Sequence, residues 1–277
     1  DVLGSRGLGD VYKRQIMEHI LSLSYGKDSL ACLGAIKKLG LPLDRIIHAE
    51  IWATDTIPAD LPPMIEFKEK ADKIIKERFG ITVEHVSAGV TYEEIFYRKH
   101  KTGKYIGRIY GFPWMKGAWC NDKLKIAALK KIDKNAVSYI GIAADEPERL
   151  ARLNNKTRKI SPLALANWTE SDCWKWCEEN DLLSPIYSTS GRGGCWFCHN
   201  QGVDQLRLLR KNYPDYWKLL LKWDKDSPMT FKLDFRTVHD YEKRFDLEDK
   251  GYIQPNDSRF RWKSLDNPEL LKGEEND

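Results

Sequence analysis

Two stretches of this 277-residue chain hold residue types that do chemistry together. The first is Ser22-Leu23-Ser24-Tyr25-Gly26-Lys27-Asp28-Ser29, between an apolar run and a helical one. The free N–H groups of a helix start, with the helix dipole behind them, make an anion site. Gly26 lets the backbone turn close to a phosphate. Ser24 and Ser29 supply hydroxyl donors, and Lys27 adds a positive charge. Asp28 does not bind a phosphate directly, so its expected partner is Mg2+. The spacing is not that of the Walker loop, G-x-x-x-x-G-K-[ST]. A plain serine-rich helix cap is the competing reading. The second stretch is Gly191-Arg192-Gly193-Gly194-Cys195-Trp196-Phe197-Cys198-His199. A C-x-x-C turn presents two sulfurs at one point, which suits zinc or iron–sulfur ligation. Two sulfurs need further ligands, and His199 is a candidate because imidazole binds zinc readily.

These stretches have to be positioned by a scaffold. His19–Ser24, Arg45–Ala53, Ile81–Val86, Val137–Ile142 and Lys159–Leu163 read as strands. Helices are expected over Ser29–Leu39, Pro62–Phe79, Asp122–Ile132 and Thr169 to about Asn180, with another opened by Thr91 and Glu94. Alternating strands and helices predict an α/β fold with a parallel sheet covered on both faces. Such sheets bind ligands at the carboxyl ends of their strands. From Val203 the chain reads as helices with aromatic packing, followed by a loose tail at Glu274–Asp277.

The hydrophobic fraction is 42% and the charged fraction 31%, which excludes a disordered chain. No apolar run approaches the ~20 residues of a membrane helix, so no membrane partner is expected. The formal net charge of +4 is too weak on its own to name nucleic acid as a partner. Cys32, Cys120, Cys173, Cys177, Cys195 and Cys198 make an even set. With no secretory signal, metal or redox use in a cytoplasmic protein is expected over disulfides. Cys32, Cys173 and Cys177 read as core residues. Residues 1–16 read as a non-native or disordered leader, residues 17–201 as the main domain, and residues 202–277 as a mainly helical extension.

The segment Ser24–Ser29 resembles the S-G-G-K-D-S loop of PP-loop enzymes, with Tyr25 where many members have the first glycine. The chain is thereby identified as similar to the phosphoadenosine phosphosulfate reductase-like family, within the adenine nucleotide alpha hydrolase-like superfamily. Trp52-Ala53-Thr54-Asp55-Thr56 is similar to that family's strand-end D-T-G motif, with Ile57 replacing glycine. Gly141-Ile142-Ala143-Ala144-Asp145-Glu146-Pro147-Glu148-Arg149 resembles its G-I-R-x-x-E-S-x-R segment, with Ala143 in place of the early arginine. Trp119-Cys120-Asn121-Asp122-Lys123 resembles the segment where a cysteine precedes a basic helix. Lys159–Leu163 and Trp168–Asp172 match its K-x-x-P-L and W-x-x-x-D run.

The resemblance implies a doubly wound parallel sheet of the superfamily's type. It implies that Ser24, Gly26, Lys27, Asp28, Ser29, Asp55 and Arg149 hold an adenine nucleotide, with Lys27 and Asp28 catalytic. It implies Cys120 as a third metal ligand with Cys195, Cys198 and His199. A [4Fe-4S] cluster is favoured over Zn2+ on that ground alone. The implied reaction uses ATP and Mg2+, cleaves between the α and β phosphates, and serves sulfur transfer or adenylation. The acceptor is open: tRNA, DNA or a small metabolite. Reduction of phosphoadenosine or adenosine phosphosulfate is a second reading, although no cysteine follows Cys198 to act as the usual nucleophile. A third is a non-catalytic, zinc-containing nucleic-acid accessory protein, with Arg259-Phe260-Arg261-Trp262-Lys263 stacking on bases.

Overall fold

A computed structural model describes residues 17–113, 118–130, 136–153, 158–188, 193–257 and 260–266. The expected leader at 1–16, Gly191, Arg192, Arg259 and the tail at Glu274–Asp277 lie outside the described residues. The chain divides into two compact units. One takes the residues up to Thr91 together with Cys120–Gly194, and the other takes Tyr92–Trp119 together with the residues from Cys195 onward. These division points differ from the sequence-based boundary after Gln201.

The first unit is α/β. Five strands, β1 (His19–Ser22), β2 (Arg45–Glu50), β3 (Val83–Ser87), β4 (Val137–Tyr139) and β5 (Lys159–Ile160), form one sheet in the order β3-β2-β1-β4-β5. Every neighbouring pair is parallel. The register places Leu21 beside Ile46 and Tyr139, and Ile46 beside Val83. Because side chains alternate along a strand, these residues share one face. They are buried against Leu30, Leu33 and Ile36 of α1 (Lys27–Leu39) and against Met64, Phe67, Ala71 and Ile75 of α2 (Pro62–Phe79). Full burial of such side chains contributes about 1.5–3 kcal/mol each. Ile20 and Ile47 project to the other face and pack with Val86, Ala136 and Leu129. Both faces therefore carry a core.

Several element boundaries differ from the sequence reading. The helix expected over Asp122–Ile132 is a π-helical segment, Asn121–Ile126, followed by α4 (Ala127–Leu129). The strand expected to reach Leu163 ends at Ile160. Pro162 opens α6 (Pro162–Leu165), with the Ser161 hydroxyl accepting from the Ala164 N–H. Pro has no N–H to lose at the first helical position, so it starts a helix where it would interrupt a strand. The helix after Thr169 is α7 (Glu170–Glu179), held at its start by a capping box between Thr169 and Asp172.

The second unit contains α3 (Tyr92–Phe96), α8 (Val203–Asn212), α9 (Pro214–Asp226) and α10 (Val238–Asp249). Its interior is aromatic. Tyr92, Phe96, Trp196, Phe197 and Trp223 are buried with ring centroids 4.2–6.1 Å apart. Phe260 and Trp262, expected as a base-stacking pair, are used internally. They pack on Leu247, Ile253 and Leu265. The Arg244 guanidinium lies over both rings, and that of Arg236 over Trp262.

Candidate functional site

The chain leaves β1 at its carboxyl end, turns through Leu23–Gly26 and enters α1. The β1/β4 junction is where the strand order reverses, the place where open parallel sheets bind ligands. The left-handed residue of the turn is Tyr25, at φ 55°, whereas Gly26 is extended at φ −80°. The glycine expected to make the turn is therefore not the residue that makes it. A non-glycine residue in this region costs about 1–2 kcal/mol. Burial and hydrogen bonding offset that cost. Tyr25 is 1% exposed, and its hydroxyl donates to Asp72 Oδ1 at 2.5 Å. His85 Nε2 lies 3.1 Å from the same hydroxyl and 2.8 Å from Asp72 Oδ2. Burial first, and then the Asp72 hydrogen bond, hold the phenol well above its ordinary pKa.

The two serines shape the loop. Ser29 Oγ donates to the Gly26 carbonyl at 3.0 Å and accepts from the Ser24 N–H at 3.1 Å. Its proton being committed, it accepts again from Ser24 Oγ at 3.0 Å. Both hydroxyl protons, expected to reach a phosphate, are used inside the loop.

Lys27 Nζ lies 2.7 Å from Asp28 Oδ1 and 3.5 Å from Glu170 Oε2 of α7. Burial works against its charge, but the Asp28 hydrogen bond and the two carboxylates outweigh burial and raise its pKa. The Lys27 backbone N–H, the first of α1, donates to the Tyr187 hydroxyl at 3.0 Å. From the other side, Gly141 closes on the helix start. A Cβ built there would lie 2.7 Å from the backbone of Asp28 and Ser29. Nothing in the sequence marks Tyr187 as a neighbour of Lys27, whereas Glu170 and Gly141 fall within matched motifs that assign neither a place beside the loop.

A second polar group lies behind the loop. His48 Nδ1 donates to the Leu23 carbonyl at 2.9 Å, leaving Nε2 to accept from Lys68 Nζ at 2.8 Å. Lys68 also pairs with Asp60 at 2.5 Å and sits 5.3 Å from the Tyr25 ring centroid. Burial, and then the Lys68 charge, push the His48 pKa down to about 4. His48 is thus a neutral link between α2 and the loop backbone.

The remaining expected residues are placed differently. Asp55 is exposed in a turn built on Thr54, whose hydroxyl accepts from the Thr56 and Ile57 N–H groups. Arg149, on α5 (Pro147–Leu150), is half exposed and paired with Glu146 at 2.5 Å. Neither has a side-chain bond to the loop.

Cys195 and Cys198 share one tight turn, in which the Cys198 N–H donates to the Cys195 carbonyl at 3.0 Å. Lys232 Nζ grips the segment by donating to the carbonyls of His199, at 2.6 Å, and Gln201. Cys120 stands at the start of the π-helical segment. Among the described residues no group of three or more His, Cys, Asp or Glu side chains gathers as metal ligands. Of the expected ligands, Cys120 belongs to the first unit, and Cys195, Cys198 and His199 belong to the second. Cys173 and Cys177 are fully buried, and burial pushes both thiols up to about 12, as core residues. All six cysteines are outside disulfides.

No protein-family model matches the chain. The "uncharacterized nin region protein ORF290" of Escherichia phage lambda is 31% identical over 112 residues. That match covers 37% of this chain and 36% of the phage protein. The chain thus spans about a third of the length of the curated relative it matches. No described helix is long and apolar enough to cross a membrane.

Proposed function

We propose that this chain is an ATP-binding enzyme of the PP-loop type, resembling the phosphoadenosine phosphosulfate reductase-like family on a doubly wound sheet. In the proposed reaction an acceptor oxygen attacks the α phosphorus of ATP. The bond to the bridging α–β oxygen breaks, and pyrophosphate leaves with that electron pair. AMP remains on the acceptor as a leaving group for a second nucleophile. The observation that supports this reading best is placement. The Ser24–Ser29 loop leaves the carboxyl end of β1 at the reversal of strand order, opens a thirteen-residue helix, and carries Lys27 and Asp28 in its first turn.

Lys27 exchanges its carboxylate partners for phosphate oxygens and stabilises charge that grows on the leaving pyrophosphate. Asp28 and Glu170, released by that exchange, fit a Mg2+ ion of the kind bound by one or two carboxylates plus substrate phosphates. Such an ion would neutralise the triphosphate. No step is assigned to the cysteines. Calorimetric titration with ATP and with GTP in the presence of Mg2+, followed by product chromatography, tests the reading. ATP preference with AMP and pyrophosphate as products is expected. Absence of nucleotide binding, or ADP as the main product, would sink it.

A further inference from the structure

The second unit carries a feature that the nucleotide reading does not use. No acidic residue lies between Glu94 and Asp122. Within that span Arg98, Lys99, Lys101, Lys104 and Arg108 sit on a short hairpin. Lys99 bridges Ile109 in antiparallel fashion. The His100 N–H donates to the Arg108 carbonyl at 2.9 Å, and the Gly107 N–H returns to the His100 carbonyl at 2.9 Å. The Tyr110 N–H closes the base on the Arg98 carbonyl at 2.9 Å. Gly107, at φ 79°, takes the left-handed conformation that folds the tip back. Residues 101–108 are all exposed.

The five cations differ from the buttressed arginines elsewhere in the protein. Arg45, Arg207, Arg210 and Arg244 are each held by carboxylates. None of the five hairpin cations is in an ion pair among the described residues. Together they exceed the formal net charge of the chain, +4. They interleave with rings. Tyr105 is 49% exposed, its centroid is 5.9 Å from that of His100, and His100 stands edge-on to Tyr110 at 4.2 Å. Lys104 Nζ lies 5.8 Å from the Tyr105 ring centroid.

We propose that the Arg98–Tyr110 hairpin binds a nucleic-acid strand, its cations on the phosphates and Tyr105 against a base. Unpaired cations release counterions on meeting a phosphate backbone, and an exposed ring stacks on any base. A lipid surface is a poorer match. Ile106 is the sole exposed aliphatic side chain of the tip, and no amphipathic helix accompanies it. The inference does not depend on the ATP reading, because every residue it uses lies outside the phosphate loop.

Fluorescence anisotropy tests it with the full chain, without ATP or Mg2+. The probes are single-stranded DNA, single-stranded RNA and duplex DNA of about 20 nucleotides, long enough for such a groove or finger. Binding to at least one should weaken steeply between about 50 and 200 mM salt. Changing Lys101→Gln, Lys104→Gln and Arg108→Gln together should lower the salt slope by about two to three and weaken binding roughly tenfold or more. All three side chains are exposed, so the thermal midpoint should hold. Lys101→Arg with Lys104→Arg should bind as the parent does. Tyr105→Ala should weaken single-strand binding by roughly five- to a hundredfold. Unchanged affinity and slope in the triple variant would overturn the proposal. So would failure of the parent to bind any probe, with or without capture by phosphatidylserine vesicles.

Discussion

A Cβ on Gly141 would lie 2.7 Å from the backbone nitrogen of Ser29. The carboxyl end of β4 and the first turn of α1 therefore approach more closely than any side chain at position 141 allows. Backbone cannot move aside as a flexible side chain can. Gly141→Ala should destabilise the protein by about 1–3 kcal/mol, the usual cost of overpacking. It should weaken ATP binding more than Gly193→Ala, since a Cβ at Gly193 meets nothing. Urea unfolding and calorimetry check both. Equal behaviour of the two variants would show that the approach of β4 to α1 does not set the loop.

Asp28→Asn should leave ATP affinity within a few-fold and lower turnover by a hundredfold or more, in the range of a lost electrostatic contribution of about 3 kcal/mol. The carboxylate pairs with Lys27 at 2.7 Å, so its loss removes a negative charge where Mg2+ is expected. Lys27 keeps Glu170 at 3.5 Å and so stays anchored. Parallel loss of affinity and turnover would instead make Asp28 a binding residue.

The scaffold was legible because its signals are local. Ile20 and Leu21 of β1, and Met64 through Ile75 of α2, bury the residues their period marks. The loop was legible from chemistry packed into six consecutive residues. What escaped came from distance or from conformation. Tyr25 occupies a left-handed position that sequence assigns to glycine, and it is held there by Asp72 and His85, 47 and 60 residues away. Tyr187 reaches Lys27 across 160 residues. The Cys195–Cys198 turn was visible, but residue types alone do not show which ligands gather in space.

Tyr187 occupies the Lys27 N–H, one of the helix-start donors that a phosphate would use. Tyr187→Phe removes that competitor, and a net hydrogen bond is worth about 0.5–1.5 kcal/mol. Pyrophosphate affinity should therefore rise roughly two- to tenfold. The emission of Trp174, whose ring is 5.2 Å from that of Tyr187, gives a local readout. A fall in affinity would make the tyrosine hydroxyl part of the anion site.

The cysteine turn offers two sulfurs at one point, and a metal held there needs further ligands, for which the family resemblance implies Cys120 and His199. Protein purified without oxygen should retain four irons or one zinc if those ligands gather, and metal analysis that finds neither would overturn the shared site. Cys195→Ser with Cys198→Ser should leave ATP affinity unchanged, because every bond that shapes the Ser24–Ser29 loop comes from other residues. A full equivalent of zinc, or four irons, would show that further ligands join the pair.

His48 sets a pH dependence with a definite sign. It is 8% exposed and neutral, and its pKa falls from the ordinary 6.5 to about 4 because burial and Lys68 oppose a charge. Between those values the unfolded chain binds a proton that the folded chain refuses. Stability linked to His48 is therefore complete above about pH 6.5 and declines as the pH falls toward 4, by about 1.4 kcal/mol for each pH unit crossed. His85 acts in the opposite direction. Its hydrogen bond to Asp72 raises its pKa, so its contribution is present at low pH and is lost as the pH rises through the folded-state value. Comparing the wild type with His48→Gln cancels the His85 contribution, since both proteins carry it. Urea midpoints measured at pH 7 and at pH 4.5 should drop more for the wild type than for His48→Gln. Loss of the link from α2 to the Leu23 carbonyl should also leave the variant less stable at pH 7. Parallel pH profiles for the two proteins would mean that His48 takes up its proton equally in the folded and unfolded chains, and that Lys68 does not donate to it.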